Sequence, residues 1–253
     1  MSQPTAFITG ATSGIGKATT YKLAQHYRLI LCGRRKERLK ELQSALAKTT
    51  DVHILSFDIS DRKACKKAID EIPDAFSSID VLINNAGNAH GLSLMQDADM
   101  DDYDQMIDIN VKGLLYISQP IMKKMEQQDR GHIINIGSIA GQEVYPKGNV
   151  YCATKHAVIA LTKSMRYDLH ETQVKVGVIN PGLVETEFSE VRFKGDKERA
   201  QQTYQGYKAL EAADIANSIL YMLQQPEHVN ISEMTVLPSV QSGRGLLRKD
   251  DES

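Results

Sequence analysis

The sequence predicts an α/β fold: one doubly wound domain over residues 1–253, with a seven-stranded, mainly parallel sheet and helices on both faces. Three observations predict it. Seven short apolar, β-branched runs recur along the chain, longer stretches with apolar residues at helical spacing separate them, and a glycine-rich turn follows the first run. Alternation of this kind builds βαβ units, whose right-handed crossovers bury a parallel sheet between helix layers. No Pro, Gly or Ser-rich linker divides the chain, and 42% hydrophobic residues suffice for a sizeable core.

The first strand covers 5–9, and Thr9-Gly10-Ala11-Thr12-Ser13-Gly14-Ile15-Gly16 carries it into a helix over 16–26. Glycine is needed where a chain turns sharply from strand to helix and where backbone must approach a pyrophosphate, while the helix N-terminus supplies N–H donors. Gly10, Gly14 and Gly16 fit those tasks, although their spacing is G-x-x-x-G-x-G rather than the general G-x-G-x-x-G. This strand–turn–helix context makes the domain Rossmann-type. A second strand over 28–32 ends in Gly33-Arg34-Arg35, where an NAD site would offer a carboxylate to the ribose 2′-hydroxyl. Two guanidiniums suit a 2′-phosphate instead, so NADP is the expected cofactor.

A helix over 35–47 and a strand over 52–57 lead to Asp58. Asp58 is placed to accept from an adenine amino group or to cap the helix over 61–72, for which Ser60 and Asp61 are better N-caps. The fourth strand, 81–83, runs into Asn84-Asn85-Ala86-Gly87, small residues that let a cofactor lie against the sheet edge. A long helix over 101–126 contains Asn110. The fifth strand, 132–137, ends at Ser138, and the helix over 150–171 contains Tyr151 and Lys155. Residues four apart on a helix stack one turn above the other. The ammonium of Lys155 is therefore expected beside the Tyr151 phenol, lowering its pKa from about 10 toward working pH.

The sixth strand, 174–179, reaches Pro181-Gly182, which plays the same part as the turn after strand four. A polar stretch at about 185–208 breaks the alternation and reads as an insertion or lid over the sheet. A helix over 212–223 and a strand over 232–237 complete the pattern, and the charged tail 243–253 is expected to be mobile.

Composition narrows the function classes. The formal net charge is −2, with thirty basic and thirty-two acidic residues intermixed, so no basic field for nucleic acid or anionic membrane is expected. Met1-Ser2-Gln3-Pro4 runs straight into an apolar strand without the regions of a secretory signal, and no apolar run approaches the ~20 residues of a membrane helix. A soluble, cytoplasmic protein is expected. Cys32, Cys65 and Cys152 are odd in number, far apart and without metal-type spacing, which points to reduced thiols and no metal site. Cys152 reads as a small side chain filling helix-packing space rather than a redox control beside Tyr151.

Taken together, Thr9 to Gly16, Asn84-Asn85-Ala86-Gly87, Asn110, Ser138, Tyr151-x-x-x-Lys155 and Pro181-Gly182 resemble the short-chain dehydrogenase/reductase family over nearly the whole chain. Within it, Gly33-Arg34-Arg35-Lys36-Glu37-Arg38-Leu39, Gly148-Asn149-Val150-Tyr151, Val191-Arg192-Phe193-Lys194-Gly195-Asp196 and Pro238-Ser239-Val240-Gln241-Ser242 resemble the NADP-dependent 3-hydroxy acid dehydrogenases.

The resemblance implies hydride exchange between NADP and the 3-hydroxyl carbon of L-serine, L-allo-threonine or 3-hydroxypropionate, the last linked to malonic semialdehyde. It implies Tyr151 as general acid/base, Ser138 as donor to the reacting oxygen, and Lys155 as tuner of Tyr151 and ligand of the nicotinamide ribose. Asn110 would anchor a water leading to Lys155. It also implies a cofactor site formed by Gly10, Thr12, Ser13, Gly14, Ile15, Gly16, Arg34, Arg35, Asp58, Ile59, Asn85, Ala86, Gly87, Tyr151, Lys155, Pro181, Gly182, Val184 and Thr186. A homotetramer is expected, with the helices over 101–126 and 150–171 at one interface. For a substrate carboxylate, Arg192 and Lys194 are candidates, with ordinary surface charge the competing account, above all for Lys194. Gln142 is a further candidate or a polar loop residue. Two alternatives stand beside this reading: an NADPH-dependent carbonyl or 3-ketoacyl reductase of broader range, and an NADP-binding regulator or scaffold.

Overall fold

Strands whose alternate residues are all apolar have nowhere to face water, and they become the middle layer here. The structure, a computed structural model, describes residues 3–248. Its elements run β1 (Thr5–Thr9), α1 (Gly14–Leu23), β2 (Arg28–Gly33), α2 (Lys36–Leu46), β3 (Val52–Ser56), α3 (Arg62–Asp70), β4 (Val81–Asn84), α4 (Met100–Ile107), α5 (Leu114–Gln128), β5 (Gly131–Ile136), α6 (Asn149–Asp168) and β6 (Val174–Pro181). The remainder are β7 (Val184–Glu185), α7 (Phe188–Arg192), α8 (Lys197–Gln202), β8 (Leu210–Glu211), α9 (Ala212–Leu223), β9 (Glu233–Val236), β10 (Gln241–Gly243) and β11 (Leu246–Leu247).

Seven strands form one sheet in the order β3-β2-β1-β4-β5-β6-β9, every neighbouring pair parallel, so the expected architecture is borne out. Successive residues of a strand point to opposite faces. Thus Phe7, Ile30, Leu82 and Ile133 pack with α3, α5 and α6, whereas Ile8, Leu31, Ile83 and Ile134 pack with α1, α2 and α9. Burying each such side chain contributes about 1.5–3 kcal/mol, an upper value set by an extended unfolded chain. The strand order reverses between β1 and β4, and open α/β sheets bind ligands beyond the carboxyl ends of strands at that switch.

A buried polar chain fixes how α5 and α6 lie on the sheet. Asn84 Nδ2 donates to Ser118 Oγ and to Asn135 Oδ1, both at 2.8 Å, and Asn135 Nδ2 donates to Thr162 Oγ1 at 2.9 Å. Directional bonds of this kind specify one docking geometry, with Asn84 Oδ1 the one oxygen of the chain left without a partner among the described residues. The helix carrying Tyr151 and Lys155 is thereby registered against β4 and β5. Among the described residues no helix is long and apolar enough to cross a membrane.

Two expectations need correction. The helix expected over 101–126 is interrupted by a π-helical segment, Asp108–Gly113, between α4 and α5. The polar stretch, expected as an insertion or lid, has elements of its own: β7 pairs with β8 to clasp its two ends, and α7 and α8 lie between them. The tail expected over 243–253 begins in an antiparallel hairpin, β10 with β11. Its last five residues, 249–253, lie outside the described residues.

Candidate active site

The glycine turn produces a cradle by what it lacks. Gly10 adopts φ +65°, and a Cβ there would come within 2.9 Å of Ala86 Cα, so the turn after β1 can press onto the turn after β4 only as glycine. Thr9 Oγ1 accepts from Asn85 N at 3.0 Å and Ala86 N at 2.9 Å, locking the two turns together. Ser13 stands at the N-cap of α1 with no side-chain cap, which leaves the first-turn N–H groups as donors for an anion.

Beyond this turn opens a cavity of about 450 Å³. It is lined by Gly10, Thr12, Ser13, Gly14 and Ile15 from the first turn, and by Arg34, Arg35, Asp58, Ile59, Asn85, Ala86 and Gly87 from the next three. Pro181, Gly182, Val184 and Thr186 close it on the far side, and Ser138, Tyr151, Lys155 and Arg192 line the same space. Three expected residues are not on that wall. Gly16 sits behind the turn, where a Cβ would lie 2.3 Å from Gly10 O, so it serves close packing. Asn110 stands behind Gly87. Gln142 points elsewhere, donating to Glu233 Oε1 at 2.6 Å and Thr235 Oγ1 at 3.1 Å beside β9, away from the cavity.

At one end of the cavity the guanidiniums are held apart from each other. Arg35 Nε and Nη2 donate to Thr12 Oγ1 at 3.1 and 3.0 Å, and Nη2 also donates to Ser13 Oγ at 2.6 Å. Arg34 Nη1 lies 3.4 Å from Asp58 Oδ2. Burial pushes the Asp58 carboxyl up, but hydrogen bonds from Ser60 and the Arg34 charge outweigh it and hold the pKa below the usual value. Asp61, not Asp58, caps α3. Sequence reasoning missed Glu187, on the lid before α7, which accepts from Arg35 Nη1 at 2.9 Å and from Arg38 Nη1 at 2.9 Å. A lone acid in a polar loop carries no signal of a partner about 150 residues away.

At the other end lies the corner that holds Ser138, Tyr151 and Lys155. Asn110 comes from the π-helical segment, which turns its amide onto the loop after β4. Its Nδ2 donates to Asn88 O at 2.8 Å and Thr154 Oγ1 at 3.1 Å, and its Oδ1 accepts from Asn88 N at 2.8 Å. Insertions of this type recur at functional sites because they re-aim one side chain. A Cβ on Gly87 would sit 3.2 Å from Asn110 Oδ1 and 3.6 Å from Lys155 Nζ, so this glycine lets both groups approach the cavity wall.

Tyr151 and Lys155 face one compartment, with Nζ 5.9 Å from the phenol ring centroid. Their mutual tuning differs from expectation. Lys155 Nζ donates to Ile136 O at 2.9 Å, and burial lowers its pKa from 10.5 to about 8. Burial, with a smaller push from Tyr145, raises the Tyr151 pKa from 10.0 to a net value of about 12. A hydrogen bond from Ser138 and the charges of Arg192 and Arg244, rather than Lys155, pull it back. Low dielectric disfavours both charged forms at once, which helical spacing alone does not reveal.

Lys155 therefore costs stability while protonated. Below pH 8 both folded and unfolded chains hold the proton and the cost is complete; between about 8 and 10.5 the folded chain releases it first, so stability rises with pH. Lys155→Met should be more stable than wild type at pH 7, with the difference shrinking by pH 10.5. Denaturation measured at both pH values checks this, and a pH-independent difference would refute the assigned shift.

A nucleotide-sized cradle that opens onto a Ser-Tyr-Lys corner defines the class of protein, and a family model described as short chain dehydrogenase matches residues 4–197. The chain belongs to that family. It is 42% identical over 241 residues to "NADP-dependent 3-hydroxy acid dehydrogenase YdfG" of Escherichia coli (strain K12), covering 94% of this chain and 96% of that protein. It is 43% identical over 248 residues to a "Probable NADP-dependent dehydrogenase" of Haemophilus influenzae, covering 97% and 98% of the two chains. A solved structure described as the closed form of serine dehydrogenase complexed with NADP+ superposes with a TM-score of 0.92 at 41% identity, over 96% of this chain and 98% of that one.

Proposed function

We propose that this chain is an NADP-dependent dehydrogenase acting at the hydroxyl-bearing carbon of small 3-hydroxy acids, L-serine, L-allo-threonine and 3-hydroxypropionate among them. One observation carries the substrate class. Arg192, only 8% exposed, lines the cavity with its guanidinium carbon 5.5 Å from the Tyr151 ring centroid. Among the described residues its side chain donates one hydrogen bond, from Nε to Gly91 O at 3.2 Å, and pairs with no carboxylate. A buried cation without an anion is costly, so a site built this way suits an anionic ligand. Lys194, the other candidate, is engaged with Asp102 at 2.9 Å and ties the lid to α4.

The cofactor assignment rests on the uncapped N-terminus of α1 for the pyrophosphate and on Arg34 and Arg35 for a 2′-phosphate. Bound NADP+ would accept the hydride from the carbinol carbon, so that alcohol and NADP+ become carbonyl, NADPH and one proton. The chain's own groups manage that proton. Tyr151 as phenolate removes it from the hydroxyl, Ser138 donates to the oxygen that becomes the carbonyl, and Arg192 fixes the carboxylate so that the carbinol carbon is held in place.

An NADP+ reduction assay on a panel of hydroxy acids and their methyl esters tests the reading. Free acids should be oxidised and esters should be poor. Arg192→Met should raise KM for the acids by about ten- to a hundredfold, the worth of one charge-assisted hydrogen bond or two. Esters used as well as acids, in wild type and variant alike, would favour a carbonyl reductase of broader range.

A further inference from the structure

We infer that the substrate end of the cavity contains a second anion-binding side chain, Arg244, and that the preferred substrates are 3-hydroxy acids bearing a second carboxylate. The inference rests on the 3-hydroxy acid reading above and sharpens it. Arg244 lines the cavity and belongs to the β10–β11 hairpin, in the segment expected to be a mobile tail. Its guanidinium carbon lies 4.0 Å from the Tyr145 ring centroid, and that of Arg192 lies 5.7 Å from the same ring. Two guanidiniums from separate elements, the lid and the hairpin, thus share one aromatic neighbour beside Tyr151.

The hairpin is fixed rather than draped. Glu143 Oε2 accepts from Arg244 N at 2.9 Å, Gln241 Oε1 accepts from Leu183 N at 3.0 Å, and Gln241 Nε2 donates to Gly243 O at 3.3 Å. Glu143 spends its carboxylate on backbone and does not line the cavity. The carboxylates that do line it, Asp58 and Glu187, are bound to Arg34, Arg35 and Arg38 at the opposite end. Among the described residues the charged groups around Tyr151 are Lys155, Arg192 and Arg244, all cationic. One carboxylate offers two oxygens, which one guanidinium fork satisfies. A ligand with one carboxylate would leave the second guanidinium uncompensated in a partly buried site; a ligand with two would match both.

The test separates this claim from the general one. Glutarate and butyrate, a diacid and a monoacid without a reactive hydroxyl, are titrated calorimetrically into the NADP+-loaded enzyme. In parallel, oxidation of 3-hydroxyglutarate and 3-hydroxybutyrate is assayed. Glutarate is expected to bind wild type about tenfold tighter than butyrate, and kcat/KM should favour 3-hydroxyglutarate by a similar factor. Arg244→Gln should erase both preferences while changing butyrate binding by no more than about twofold, and Arg244→Lys, which keeps the charge, should retain part of them. Equal affinities in wild type, or equal weakening of both acids by Arg244→Gln, would overturn the inference while monoacid oxidation keeps the 3-hydroxy acid reading intact. No binding and no oxidation of either acid would overturn both.

Discussion

Tyr151→Phe is expected to lower kcat for 3-hydroxy acid oxidation by about a thousandfold, with NADPH affinity within about twofold of wild type. The phenol is the acid/base group of the proposed reaction, and the variant keeps its ring against Phe188, 5.7 Å away between centroids, so the wall of the cavity survives. Only the oxygen is lost. Steady-state oxidation together with NADPH fluorescence titration measures both quantities. Residual activity above a tenth of wild type would remove Tyr151 from the role of base. Loss of NADPH binding in step with activity would mean that the ring, not the proton, matters.

The second large effect concerns the cofactor. Arg34→Ala combined with Arg35→Ala should weaken NADP+ about a hundredfold or more and NAD+ only a few-fold. Hydrogen bonds to charged groups are worth about 1.5–3 kcal/mol each, and the 2′-phosphate is the one feature NAD+ lacks. Two features narrow the difference between the cofactors. Arg35 also braces Thr12 and Ser13 of the glycine turn, which both dinucleotides need, and Arg38 stays nearby through its shared partner Glu187. Paired dissociation constants for NADP+ and NAD+ decide the matter. Equal loss for both would show that the arginines support the turn rather than read the phosphate.

Much of this molecule is legible from residue order because its strands are apolar on both faces. Runs such as Leu29-Ile30-Leu31 have no polar side to expose, so they announce a buried parallel sheet, and the seven strands appear within two residues of expectation. Turn residues at the strand ends are legible from composition: glycines and small amides stand where the sheet borders the cavity. What escaped depends on distance rather than pattern. The π-helical segment around Asn110 retains helical apolar spacing on either side, so it looks like uninterrupted helix. The short helices α7 and α8 are too brief for periodicity to show.

Charge was harder to read than shape. A lysine four residues from a tyrosine looks like its natural partner, yet burial moves both groups toward neutrality, and the cations acting on the phenol come from α7 and the β10–β11 hairpin. Gln142 follows Ser138 closely in sequence, but the short 3-10 turn Ile139–Gly141 carries it away toward β9. Arg244 hides in a stretch whose charge suggests solvent. Apart from Gln142, these misses involve residues brought together by the lid or the hairpin, elements whose positions are set by tertiary contacts such as Lys194 with Asp102 and Gln241 with Leu183.

In the proposed reaction the Tyr151 phenol, buried and raised to about 12, removes the hydroxyl proton. Oxidation requires the phenolate, so the rate must climb with pH while the phenol is still mostly protonated. The most direct test is the single-turnover rate of NADPH formation from L-serine or 3-hydroxypropionate across neutral and alkaline pH. A rise of about tenfold per pH unit is expected in wild type below the phenol's apparent pKa, with a slow, flat profile in Tyr151→Phe. A flat wild-type profile, or the same rising profile in Tyr151→Phe, would contradict this role of Tyr151.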